Sequence, residues 1–180
     1  MPILFRDALP SDATDLSELA FCSKAHWGYP AEFMQACRRE LTVTPESIAG
    51  DEIQTVVAVI QQELAGFYTL EDLADTRIEL GALFVKPKYI GQGIGRQLII
   101  RAKAHAVKLG AHTMTIQGDP HALEFYRAAS ASVIGEMESG SIPGRFLPLL
   151  EIPLVTDDHA MQDRSGHYPV IASLIACPSR

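Results

Sequence analysis

The stretch KPKYIGQGIGRQLIIRAK, Lys86 to Lys103, places Gly91, Gly93 and Gly95 in alternation immediately ahead of a run that reads as helix. Glycine weakens regular structure, yet it lets the backbone adopt positive φ and approach a ligand closely. One glycine would satisfy a tight turn. Three at a helix entrance imply exposed N–H groups facing an anion, where orphan amides and the helix dipole act together. Two familiar phosphate loops do not fit. A P-loop needs G-x-x-x-x-G-K-[ST], whereas Arg96 and Gln97 follow Gly95. The dinucleotide fingerprint G-x-G-x-x-G has its third glycine out of register with this one.

Outward from the loop, RIELGALFV reads as a strand ended by Lys86-Pro87. Behind it, Ile94, Leu98, Ala102 and Ala106 follow i, i+4 spacing, and Gly110 stands as a C′ residue. HTMTI is a short strand. Asp119-Pro120 opens a further helix, with Pro at its first position. SVIGEME and RFLPLLEIPL are the last two strands, joined by the turn-rich SGSIPG. On the N-terminal side, Ile3–Leu9 is a first strand, and Pro10-Ser11-Asp12 supplies turn and N-cap chemistry for a helix running to about Ala25. AEFMQACRREL, after Pro30, forms a second helix. IQTVVAVI and LAGFYTL form a hairpin or meander across QQE. The order β-α-α-β-β-β-α-β-α-β-β is a mixed α+β layout, in which only the central strand–loop–helix–strand need be parallel.

Charge singles out the same region. The chain carries a net −7, which argues against a general nucleic-acid binder. Yet between Leu80 and Gly118 there is no Asp or Glu, and Lys86, Lys88, Arg96, Arg101, Lys103 and Lys108 all lie there. A local positive field suits a small polyanion; a solvated basic helix face is the plainer reading. A length of 180 residues, 47% hydrophobic and 21% charged, is one soluble domain's worth. No apolar run is long enough to span a bilayer, and MPILFRDALPSD lacks the pattern of a secretory signal. Cys22, Cys37 and Cys177 form no CxxC pair, which favours a reducing, cytoplasmic setting with cysteines used as small apolar residues. The six histidines show neither HExxH nor clustered ligand spacing, so no metal is expected.

LFVKPKYIGQGIGRQLIIRA, followed by DPHALEFYRAASASVIGE, resembles the GNAT family of N-acetyltransferases, which use acetyl-CoA. The family loop R/Q-x-x-G-x-G/A is matched by Ile90-Gly91-Gln92-Gly93-Ile94-Gly95, with Ile90 at the usual Arg/Gln position. The family's D-P-N-A…F-Y-x-x-x-G-F pattern is matched by Asp119-Pro120-His121-Ala122, Phe125-Tyr126 and Ser130-Ala131, His121 standing for the Asn. The resemblance covers about Ile3 to Val155. It implies one acetyltransferase domain over 1–155, a GNAT-like mixed central sheet with helices on both faces, and a tail over 156–180 that is extra packing, a subunit contact or disorder.

The resemblance also implies roles. The amides of Gly93, Ile94, Gly95 and Arg96 would hold the coenzyme pyrophosphate, with Ile90, Gly91, Gln92, His121 and Phe125 around them. The strand edge at Leu83, Phe84 and Val85 would pair with the pantetheine arm, and nearby Lys and Arg would meet the 3′-phosphate. Tyr126 would be the general acid toward sulfur, although a Phe-Tyr pair on a helix also reads as core. Glu79 is a candidate base or a solvent-facing strand residue. SKAHWGYP gathers His26, Trp27 and Tyr29 as acceptor-site lining, with Trp27 as a core plug the other reading. The implied acceptor is an amine of a small molecule or a protein, with neither nucleic acid nor membrane as partner, and dimers are common among relatives. A module that binds coenzyme A without transferring anything is the alternative.

Overall fold

Alternation along the strands sends successive side chains into two separate cores. The computed structural model describes residues 2–154, so the tail expected over 156–180, Cys177 included, lies outside the described residues. Seven strands form one sheet in the order β1-β2-β3-β4-β5-β7-β6. They are β1 (Leu4–Asp7), β2 (Ile53–Ile60), β3 (Glu63–Leu73), β4 (Arg77–Val85), β5 (Thr113–Gln117), β6 (Ser132–Glu138) and β7 (Phe146–Pro153). Every neighbouring pair is antiparallel except β4 and β5. The parallel pair flanks the glycine loop and the helix after it, the one crossover the sequence required.

On one face, Val56, Ala58, Tyr68, Leu70, Ile78 and Leu80 pack against Ile94, Leu98, Ile99, Ala102 and Ala106 of α4 (Ile94–Lys108). On the other, Val57 and Phe67 pack against Leu16, Leu19 and Ala20 of α1 (Ala13–Ala25) and Met34 of α2 (Ala31–Ala36). Helices therefore cover both faces, as expected. A short α3 (Pro45–Ala49) precedes β2, and α5 (Leu123–Ala128) follows a single 3-10 turn at Pro120–Ala122. Among the described residues no helix is long and apolar enough to cross a membrane.

Three local expectations need correction. The second helix stops at Ala36 instead of running through Leu41. Beyond it, polar side chains take over the backbone groups: the Thr42 hydroxyl donates to the Arg38 carbonyl at 2.8 Å, and Ser17 Oγ accepts from the Val43 amide at 2.8 Å. α3 was not expected, though Thr44-Pro45-Glu46-Ser47 carries its signal. Thr44 and Ser47 cap one another reciprocally, with Pro at the helix start. Cys37 is a buried core residue, but Cys22 is exposed.

Candidate active site

β4 and β5 begin as a regular parallel pair and then part. Arg77, Ile78 and Glu79 pair with Thr113, Met114 and Thr115, and the pairing ends there. Gly81 sits in a register shift against β3, where a Cβ would stand 2.7 Å from Glu71 Oε1. From that bulge to Val85, β4 keeps its bonds to β3 but has none on the side of β5. A cleft of about 610 Å³ opens in the gap, lined by Leu80 to Val85 on one wall and by Gln117, Asp119, Phe125 and Tyr126 on the other.

The glycine loop closes one end of the cleft. Gly91 and Gly93 hold φ of +79° and +82°, a left-handed conformation that a side chain would strain. Gly93 is the N-cap of α4, and no side chain caps that helix end. The first amide of this turn with a backbone acceptor is that of Gln97, which reaches the Gly93 carbonyl at 3.1 Å. The amides of Gly93, Ile94, Gly95 and Arg96 meet no acceptor among the described residues. Ile90, Gly91, Gly93, Gly95 and Arg96 line the cleft. Gln92 does not: its side chain folds back on the Lys88 carbonyl at 2.7 Å. Nor does Ile94, whose side chain is core.

The basic segment is less free than the charge count suggested. Glu63, at the start of β3, takes an ion pair from Lys86 and another from Lys88, and accepts from the Tyr89 hydroxyl at 3.0 Å. These bonds pull its carboxyl down to about 2. Lys103 donates to the Ala129 carbonyl, and Arg101 lies over the Phe5 ring. Of the six basic residues, Arg96 alone lines the cleft.

Tyr126 lines the cleft on α5, with its ring against Gly118 and against Phe125 at a centroid distance of 5.1 Å. Its hydroxyl has no hydrogen-bond partner among the described residues, although the residue is only 7% exposed. Burial, and then the charge of Asp119, push its pKa above the usual tyrosine range. Glu79 is not among the lining residues. It pairs across β3–β4 with Glu71, and burial together with that second carboxylate raises its pKa.

The far end of the cleft holds a network that sequence reading missed. Tyr29 donates to both oxygens of Asp119 at 2.9 Å and accepts from Arg145 Nη2 at 2.9 Å. Asp119 also accepts the His121 amide at 3.0 Å and faces Lys24 and Arg145, each at 3.6 Å. Burial disfavours its charge, but the His121 amide, Tyr29 and the two cations outweigh that and hold the carboxyl below its usual range. Burial, then Asp119, lifts Tyr29 to about 12. The structure thus bonds Tyr29 to Asp119 without placing it among the lining residues, stacks Trp27 on His121 at 5.4 Å, and leaves His26 exposed against the edge of Trp27. Trp27 and His121 line the cleft; His26 does not. Trp27 is 41% exposed, so it is not a core plug.

Comparison with known proteins agrees with this geometry. The family model described as the acetyltransferase (GNAT) family matches residues 18–130. No curated protein sequence matches the chain. Among solved structures, the PaiA N-acetyltransferase of Thermoplasma acidophilum, in complex with coenzyme A, is similar at 24% identity and a TM-score of 0.68, over 85% of this chain and 99% of that one. A GCN5-related N-acetyltransferase from Rhodopseudomonas palustris is similar at 22% and 0.68, over 86% of this chain and 97% of that one. An aminoglycoside 6′-N-acetyltransferase complexed with coenzyme A is similar at 20% and 0.64, over 86% and 98%. At these identities the structures speak for the fold alone.

Proposed function

The chain belongs to the GNAT acetyltransferase family, and on that premise we propose that it moves an acetyl group from acetyl-CoA to a primary amine. The observation that carries this reading is the uncapped start of α4, opening into a cleft that runs along the unpaired edge of β4 to Tyr126. Acetyl-CoA, when bound, supplies an acyl carbon already activated as a thioester.

The residues then divide the work. The amides of Gly93 to Arg96 hold the diphosphate at the positive end of the helix, and Arg96 adds a charge there. The free N–H and C=O groups of Leu83 to Val85 take an extended arm in strand fashion. Ile90, His121 and Phe125 wall that arm from solvent. As the C–N bond forms and the C–S bond breaks, Tyr126 delivers its proton to the departing sulfur. Its raised pKa keeps the hydroxyl protonated until then. The proton lost by the amine goes to solvent or, through water, to Glu79. We take residues 1–155 as the unit that performs this, and free thiols at Cys22 and Cys37 accord with a cytoplasmic setting.

Thiol release from acetyl-CoA, followed with and without a panel of amines, tests the reading. Release that depends on an amine is expected. Tight coenzyme binding with no release for any amine would leave a binding module instead, and no binding at all would remove the cradle.

A further inference from the structure

Because the Tyr126 hydroxyl has no hydrogen-bond partner among the described residues, ring packing and the backbone alone set its position. The ring rests on Gly118, where a Cβ would stand 3.5 Å from Cδ2 and Cε2 of Tyr126. The backbone is that of α5, six residues long and too short to hold itself. Both supports meet at Asp119. It follows Gly118, and it is the N-cap of the turn at Pro120–Ala122 that runs straight into α5. Its carboxylate accepts the His121 amide at 3.0 Å and so fixes the start of that turn.

Tyr29 and Arg145 hold this carboxylate from outside the cleft, since neither is a lining residue. The Tyr29 hydroxyl lies 2.9 Å from both Asp119 oxygens and accepts from Arg145 Nη2, which itself faces Asp119 at 3.6 Å. The Tyr29 ring stacks on Phe33 at 4.2 Å, and the Arg145 guanidinium lies 4.8 Å from the Phe33 ring and 5.3 Å from that of Tyr29. Two cations, Lys24 and Arg145, balance two carboxylates, Asp119 and Glu40. No buried side-chain polar atom among the described residues lacks a partner. A neutral, saturated cluster of this kind holds a position; it does not wait for a ligand. It joins the connection between α1 and α2, the turn after β5 and the turn before β7.

We propose that Tyr29 and Arg145 are positioning residues for Tyr126: through Asp119 they set where α5 begins, and so where the general acid stands against the departing sulfur. This rests on the acetyl-transfer reading above. A displacement of about 1 Å at a reacting group costs up to about a hundredfold in rate. The ties therefore act on kcat, and coenzyme binding at the glycine-loop end of the cleft is spared.

A double-mutant cycle on single-turnover transfer tests this, run with acetyl-CoA and the amine that releases thiol fastest in the panel above. Tyr29→Phe keeps the stacked ring and removes only the hydroxyl. It should lower the rate about tenfold, with acetyl-CoA affinity within about twofold of the parent's. Arg145→Met should lower the rate as much or more, and Arg145→Lys should recover part of that loss. In a Tyr126→Phe chain, Tyr29→Phe and Arg145→Met should lower the remaining rate by no more than about twofold, because a group that acts through Tyr126 has nothing left to act on. A merely structural loss would carry over in full. Equal losses in both backgrounds, or a Tyr29→Phe chain with the parent's rate, would overturn the proposal and leave acetyl transfer standing. Coenzyme binding without thiol release for any amine would instead defeat the transfer reading, and the proposal with it.

Discussion

Gly95 lies under the edge of the Phe125 ring: a Cβ built on it would stand 3.3 Å from Cε2 of that ring and 3.6 Å from Cγ2 of Val85. Gly91 and Gly93 have no atom within 4 Å of the same point, but both hold positive φ. The three alternating glycines thus answer two different demands. Two permit a left-handed loop, and the third lets α5 close on α4.

Those demands separate under substitution. Gly93→Ala should cost about 1–2 kcal/mol, the strain of a left-handed alanine. Gly95→Ala keeps a helical backbone and should be close to neutral, since its gain in helix propensity offsets a small shift of the ring. Gly95→Val should push Phe125 into the cleft and lower coenzyme affinity by about tenfold or more. Urea unfolding of the alanine variants and calorimetric titration of the valine variant check this. A Gly95→Ala variant less stable than Gly93→Ala would show the assignment to be reversed.

Tyr126→Phe removes one hydroxyl that no described residue needs. Turnover should fall by about a hundredfold, the usual scale for losing a general acid, while coenzyme affinity stays within about twofold. Single-turnover rates beside equilibrium binding separate the two quantities. Equal turnover would take Tyr126 out of the chemistry.

Asp119 links stability to pH in a stated direction. Its folded pKa lies below the ordinary 3.8, so its stabilising contribution is complete above that value. It is lost as pH falls through the lowered folded pKa. The melting temperature of the parent protein should therefore drop toward that of Asp119→Asn as pH falls below 3.8, the two curves being well separated near neutrality. Scanning calorimetry across that range is the measurement, and parallel curves would contradict it.

Glu63→Gln should release Lys86 and Lys88 toward the mouth of the cleft. The ion pairs are largely solvent-exposed, so the loss in stability should stay below about 1 kcal/mol. Coenzyme binding should tighten several-fold at low ionic strength, and the gain should shrink in salt. Titrations at two salt concentrations decide it; unchanged affinity in both would mean the lysines do not reach the phosphates.

What could be read from the chain was local. RIELGALFV becomes β4 with both ends as expected, because its apolar residues and the following Lys-Pro are contiguous signals. The i, i+4 series from Ile94 to Ala106 is the buried stripe of α4, and Gly110 takes the positive φ that ends it. What escaped reading joins distant positions. Tyr29 and Asp119 are 90 residues apart, and no spacing rule connects them. Glu63 lies well outside the acid-free segment, 23 residues before Lys86, so a run of basic residues seen in sequence conceals the partner that a neighbouring strand supplies. That Glu79 does not line the cleft, while Leu80 to Val85 do, depends on where β4 parts from β5, which no local pattern marks. The cap at Thr44 was the exception: its signal was local and went unused.

The parting of β4 from β5 after Glu79 leaves a narrow seam. Three paired positions stitch the first four strands to the last three, supplemented by the ties that Tyr29 and Lys24 make to Asp119. An extended arm lodged in the gap would act as a missing strand, and the two halves of the sheet would then exchange their amide protons as one body where before they could breathe separately.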